Sequence, residues 1–346
     1  MAHGGTNFGF WNGANGNGGT SYQPTITSYD YDSPISESGS HGFHDNVDKF
    51  KEMARVLQNY VSTPTNDEPA FIPTRAYGNV TMTQRANLFE NLNTLAGKSV
   101  THSSLPVFSE SVGCRYGLIM YSHRFKSDVA SDSSIHLSGV KDRAQVFVNN
   151  VFQGLSYRVS PSNVTISNGA SVGDVLQVLV ENMGRINFSP GGMKDTRKGL
   201  TGNVTLNHEM ILLDWNITCL PLDNYKDFDD MKWEDVTVNG RRSSSSNGPT
   251  FYRSSAIKFD GHSDTFLSSD TSWLSKGFAW VNGFNLGRYW PVQGPQKTLY
   301  VPAPRTVGND RRLVLLELEA HSTNNNGGDD EFIVEFQDYP ILNRNN

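Results

Sequence analysis

One short pattern occurs twice in this chain and restricts its fold more than any other feature. Val146-Phe147-Val148-Asn149-Asn150-Val151-Phe152-Gln153-Gly154 aligns with Ala279-Trp280-Val281-Asn282-Gly283-Phe284-Asn285-Leu286-Gly287 at a constant offset of 133 residues, 149 matching 282. Each copy is an apolar strand that runs into Asn-Asn or Asn-Gly, pairs that tolerate φ > 0 and so a two-residue hairpin turn. Each is followed by a second apolar strand with acidic residues at its end, 175–180 with Glu181 and 313–316 with Glu317 and Glu319. A strand–hairpin–strand unit repeated at this spacing predicts two copies of one β-sandwich module of roughly 110–120 residues.

The rest of the chain supports a mainly β protein. Its 346 residues predict two or three domains. The 32 Gly and 15 Pro favour turns and short strands over long helices. Nineteen Phe, 13 Tyr and 6 Trp supply apolar area for several cores, which argues against disorder. Residues 116–121, 143–148, 175–180, 278–281 and 313–319 read as strands; 175–180 is nearly all apolar, as a strand covered on both faces should be. One helix is predicted over 45–61, with Val47, Phe50, Ala54, Leu57 and Val61 on one face, Asp45 as N-cap and Pro64 beyond its end. The predicted organisation is an N-terminal segment 1–62, a proline-containing connection 63–105, a first sandwich 106–222 and a second sandwich 223–346.

Several functions are excluded or left without support. Lys+Arg of 29 against Asp+Glu of 35 gives a net charge of −6, which rules out a bulk basic surface for nucleic acid. No apolar run approaches the length of a membrane span. No H-E-x-x-H, P-loop or G-x-S-x-G pattern occurs among these residues. No metal or organic cofactor is therefore expected. Cys114 and Cys219 could pair, but the simpler expectation is two separate buried thiols. Met1-Ala2-His3 has neither the basic nor the apolar region of a signal peptide. Asn-x-Ser/Thr sequons occur at Asn79, Asn163, Asn187, Asn203 and Asn216, about the number chance supplies, so by themselves they decide nothing.

Residues 1–43 are a long segment rich in Gly, Asn and Tyr. Such a segment suits sugar contacts: aromatic rings stack on C–H faces, while Asn, Asp and Tyr hydroxyls direct hydrogen bonds. Hydrolysis of a glycoside with retention needs two carboxyls about 5–5.5 Å apart. The candidates are Asp30, Asp32, Glu110 and Glu181, and none forms an evident pair; Glu181, at a strand end, reads as structural.

His3-Gly4-Gly5-Thr6-Asn7-Phe8-Gly9, Trp11-Asn12-Gly13-Ala14-Asn15 and Thr27 to Glu37, through Ser28-Tyr29-Asp30-Tyr31-Asp32, closely resemble the β-galactosidases of glycoside hydrolase family 35. So do residues 139–144, 180–187, 198–200, 280–291, 294–296 and 299–302, in family order. The resemblance implies a (β/α)₈ catalytic barrel followed by two β-sandwich, jelly-roll and galactose-binding-like domains. Residues 1–62 would then be the last strand and helix of that barrel, poorly ordered on their own. Neither catalytic glutamate motif of the family is present, so no catalytic residue is assigned. Ser109-Glu110-Ser111 imitates one motif but matches a different family stretch. The resemblance places Tyr31 against the sugar, with Tyr29 and Trp11 as further pocket-wall residues; Phe10 stands where the family often has Tyr. It implies a β-galactoside as substrate of the full-length parent and a lysosomal, vacuolar or extracellular location. The alternative is a non-catalytic carbohydrate-binding or interaction protein using the two sandwiches.

Overall fold

The computed structural model describes residues 3–16, 21–29, 33–38, 49–61, 73–96, 100–192, 196–223, 225–236, 248–271, 273–307, 311–319 and 331–342. The first sandwich pairs a six-stranded antiparallel sheet with a four-stranded one. Strand order in the larger sheet is Val151–Tyr157, Arg143–Val148, Val175–Glu181, Leu118–Arg124, Trp215–Leu220, Thr101–Ser103. The smaller sheet runs Val164–Ile166, Ser133–Leu137, Val204–Leu206, Met210–Ile211. Alternate residues of the larger sheet, among them Ile119, Tyr121, Val146, Val178 and Ile217, meet Ile135, Val164 and Val204 in one core. The residues between them point the other way. Leu118, Met120, Phe147 and Leu179 join Phe251, Phe278, Trp280 and Leu316 of the second sandwich. The sheet is thus covered on both faces, which is why 175–180 reads as a continuous apolar run.

The second sandwich is one nine-stranded sheet that runs Phe284–Tyr289, Gly277–Val281, Leu313–Glu317, Thr250–Ser254, Gly78–Asn87, Ile333–Gln337, Thr265–Ser268, Thr298–Val301, with Glu234–Asp235 beside Gly78–Asn87. Here the structure corrects the expected connection over 63–105. The strand Gly78–Asn87 bridges the two halves of the sheet: residues 78–81 pair with 333–336, and 82–87 with 250–254. The second sandwich therefore begins before the first, which is inserted within it, and not at 223. Val80, Met82 and Ala86 alternate into the cores; with Gln84 and Arg85 among them, this weak alternation is masked by the prolines upstream.

Both expected hairpins form. Asn149 and Asn150 take φ of 47° and 66°, and Asn282 and Gly283 take 51° and 77°. These are the positive values that a tight turn between right-twisted strands requires.

The N-terminal segment is a second correction. Gly13–Gly16 pairs in parallel with Arg185–Phe188 of the first sandwich and antiparallel with Tyr22–Pro24, while Gly5–Thr6 pairs with Ser28–Tyr29. Its backbone groups find partners on the sandwiches, so the described part of 1–29 is docked and not loose. The described part of the helix is Lys49–Leu57, and none of its residues is buried; Asp45 and Val47 lie outside the described residues. A third correction concerns the cysteines. Cys114 and Cys219 form a disulfide with Cα atoms 5.4 Å apart, tying the entry of the first sandwich to its last strand across 105 residues. Such a bridge contributes about 2–4 kcal/mol, most of it by restricting the unfolded chain.

Candidate functional site

Of the three expected sugar-contacting residues, Tyr29 and Trp11 are among the described residues. Tyr31 lies outside the described residues. Tyr29 is half-buried and packed on Gly5 so closely that a Cβ there would stand 2.6 Å from the Tyr29 hydroxyl. Trp11 is 71% exposed and leans on Tyr116, ring centroids 5.3 Å apart. The Tyr116 hydroxyl donates to Asp223 at 2.7 Å. Phe10 turns inward instead, 4.7 Å from the Phe278 ring. An open cleft of about 350 Å³ lies beside the hairpin of the N-terminal segment, lined by Asn15, Gly16, Ser21, Tyr22, Gln23 and Val159. Its amides and hydroxyls suit sugar hydroxyls, and no carboxylate is among its described lining residues.

The buried acids are occupied elsewhere. Asp142 is fully buried and accepts from Lys198 Nζ (2.5 Å), Arg158 Nη1 (3.2 Å), the Tyr22 hydroxyl (2.9 Å) and the Met183 amide (2.9 Å). Lys198 is equally buried and also donates to the Gly184 carbonyl at 2.6 Å. Burial pulls its ammonium pKa down to about 8, against the opposing pull of Asp142. Glu181 accepts from Lys276 Nζ and from Arg288 Nη1 (3.4 Å). Burial alone would raise its pKa; Lys276, Arg288 and Arg143 outweigh that and hold the carboxyl ionised. Arg288 continues to the Thr25 carbonyl (3.2 Å), and Arg143 reaches Glu319 (2.6 Å). These two clusters join the N-terminal segment, the first sandwich and the second sandwich at one junction. They hold parts together; each acid is surrounded by cations and backbone donors, with no reacting group beside it. Glu110 is likewise spent, on the Lys198 amide (3.0 Å) and Arg185 (2.7 Å).

Sequence reading took Glu181 as structural, and its contacts agree. It missed Asp142, Lys198, Lys276 and Arg288. The available signal was a charged residue inside or beside an apolar strand, as in Lys141-Asp142-Arg143 before Ala144. Among the described residues no group of three or more His, Cys, Asp or Glu is placed to hold a metal ion.

Glu37 is less fully paired than Asp142 and Glu181. Its Oε2 accepts from Thr6 Oγ1, but its Oε1 is buried with no partner among the described residues. Burial pushes its pKa from 4.5 up to about 7; the Ser28 and Thr6 hydroxyls pull it down, and Asp264 adds to the rise. The folded state therefore keeps a proton that the unfolded chain loses between those values. That contribution, at most about 3 kcal/mol, is complete below pH 4.5 and is lost as pH rises through 7. Urea midpoints measured from pH 5 to 8 should fall more steeply for the native chain than for Glu37→Gln, which stays neutral throughout. Equal slopes would show that Glu37 titrates as it does in water.

Family comparisons agree with this architecture. Residues 1–60 match the profile of glycosyl hydrolases family 35, 106–223 match the first all-β domain of β-galactosidase, and 249–306 match its galactose-binding domain. The β-galactosidase of Bos taurus is 37% identical over 99% of this chain and 52% of its own length, and β-galactosidase 17 of Arabidopsis thaliana is 35% identical over 92% and 48%. A GH2 β-galacturonidase from Eisenbergiella tayi covers 72% of this chain and 38% of its own at 11% identity, but its TM-score of 0.26 is too low to carry an argument. The chain spans about half the length of the curated relatives it matches. With the family's profiles in order along the chain and more than a third of its residues shared with a named β-galactosidase, it belongs to glycoside hydrolase family 35.

Proposed function

We propose that this chain is the C-terminal portion of a retaining β-galactosidase that hydrolyses terminal β-galactosyl residues. The order of the three family matches along the chain carries this reading. In it, residues 1–62 are the last strand and helix of the (β/α)₈ barrel, and both catalytic glutamates belong to barrel elements that this chain does not contain. One would attack the anomeric carbon and the other would protonate the leaving oxygen, through a glycosyl-enzyme intermediate. No metal or organic cofactor enters that chemistry. The chain supplies the sandwiches, the junction that seats the barrel's last elements on them, and Tyr31 as the sugar-contacting residue this reading assigns, with Tyr29 and Trp11 as further pocket-wall candidates. The disulfide fits an oxidising route to a lysosome, a vacuole or the cell exterior. No described helix is long and apolar enough to cross a membrane.

Tyr31→Phe in the full-length enzyme tests the site. A phenol hydroxyl beside the nucleophile carboxylate would steady it by about 1.5–3 kcal/mol, as hydrogen bonds to charged groups do. The expected result is a kcat lower by roughly 10–150-fold, with an unchanged thermal midpoint. An unchanged kcat would leave Tyr31 as packing. Sugar binding by the isolated chain in the Asn15–Gln23 cleft, with Tyr31→Phe silent, would favour the carbohydrate-binding alternative.

A further inference from the structure

Five sequons are no more than chance supplies, but their placement in the fold is not random. All five sequon asparagines are exposed, whereas seven of the other fourteen described asparagines are. Five from five at that rate would arise about once in thirty. In three of them the strand pleat explains the exposure. Asn79-Val80-Thr81, Asn203-Val204-Thr205 and Asn216-Ile217-Thr218 each bury the central β-branched residue at 8%, 0% and 1% exposure. Because neighbouring side chains on a strand point to opposite faces, burying the middle residue turns the Asn outward, while Thr81, Thr205 and Thr218 are half-buried and the Thr205 hydroxyl itself is covered. Asn79 stands opposite exposed Glu335, and Asn216 beside the exposed edge residue His102.

Asn163-Val164-Thr165 shares this pleat, with Val164 2% exposed, but its amide and that of Asn187 are engaged by neighbours. The Asn163 amide is held between two imidazoles, with Nδ2 2.9 Å from His208 Nε2 and Oδ1 3.0 Å from His136 Nδ1. The Asn187 amide lies flat over Gly13, so close that a Cβ on that glycine would meet Nδ2 at 2.7 Å. A sugar on either nitrogen would displace the contact, and at Asn187 it would obstruct the pairing of Gly13–Gly16 with Arg185–Phe188.

We propose that the mature protein carries N-linked glycans on Asn79, Asn203 and Asn216, and none on Asn163 or Asn187. The inference rests on the secretory routing in the proposed function and not on its galactosidase chemistry. The transfer is made by a host enzyme from an oligosaccharide on a polyprenyl diphosphate. The Asn nitrogen displaces the diphosphate from C1, so a C1–N bond forms, a C1–O bond breaks, one amide proton leaves and nothing is oxidised. The sugar on Asn216 would also shield the short edge strand Thr101–Ser103 from pairing with another chain.

The test expresses the full chain behind a cleavable leader in a eukaryotic secretory host. Native material that resists brief trypsin treatment is deglycosylated with peptide:N-glycosidase in ¹⁸O water, then mapped by mass spectrometry. Labelled aspartate at 79, 203 and 216, with unlabelled asparagine at 163 and 187, is the expected result. An unlabelled residue at any of the first three, or a label at either of the last two, overturns the proposal. Neither outcome bears on β-galactosidase activity, which Tyr31→Phe in the full-length enzyme reads separately.

Discussion

Asp142→Asn should unfold this chain at a temperature on the order of 10 °C lower than the native sequence. The change keeps the side chain's size and removes its charge, leaving Lys198 and Arg158 buried without their carboxylate. Removing one partner of a buried ion pair costs about 3–5 kcal/mol, because the remaining charge stays desolvated and unpaired. In a chain of this size that becomes a large shift in midpoint. The same carboxylate accepts from Tyr22, so the N-terminal segment should loosen as well. Proteolysis within residues 3–29 should become faster than cleavage in the sandwiches. Asp214→Asn is the matching control. Asp214 pairs with Lys126 on an exposed surface, where ion pairs contribute little, and its loss should leave the midpoint in place. Equal effects of the two substitutions would remove the junction from the account.

Much of the β architecture was legible because turn chemistry is local. Asn149-Asn150 and Asn282-Gly283 announce their hairpins in two residues, since few other pairs accept positive φ. The continuous apolar run at 175–180 announced a sheet covered on both faces. What failed to show was long-range. Gly78–Asn87 carries Asn79, Thr81, Thr83 and Arg85 between modest apolar residues; its role depends on neighbours more than 160 residues away in sequence. The disulfide spans 105 residues, and two isolated cysteines carry no spacing signal. Asp142, Lys198 and Lys276 read as surface charges because burial of an ion depends on a partner that periodicity does not reveal. The Gly-rich segment 3–16 looked unstructured for a related reason. Its glycines permit close approach, as Gly5 does under Tyr29 and Gly13 under Asn187, but that need arises only once the partner is in place.

The central proposal is that this chain holds the family's sandwiches and the edge of its active site without its catalytic carboxylates. The most direct measurement is the hydrolysis of an aryl β-galactoside by purified residues 1–346. Without nucleophile and general acid there is neither a covalent route nor a protonated leaving group, effects each worth orders of magnitude in rate. The account predicts turnover equal to buffer at every pH. Turnover that survives repurification and disappears on substitution of a carboxylate within this chain would contradict it.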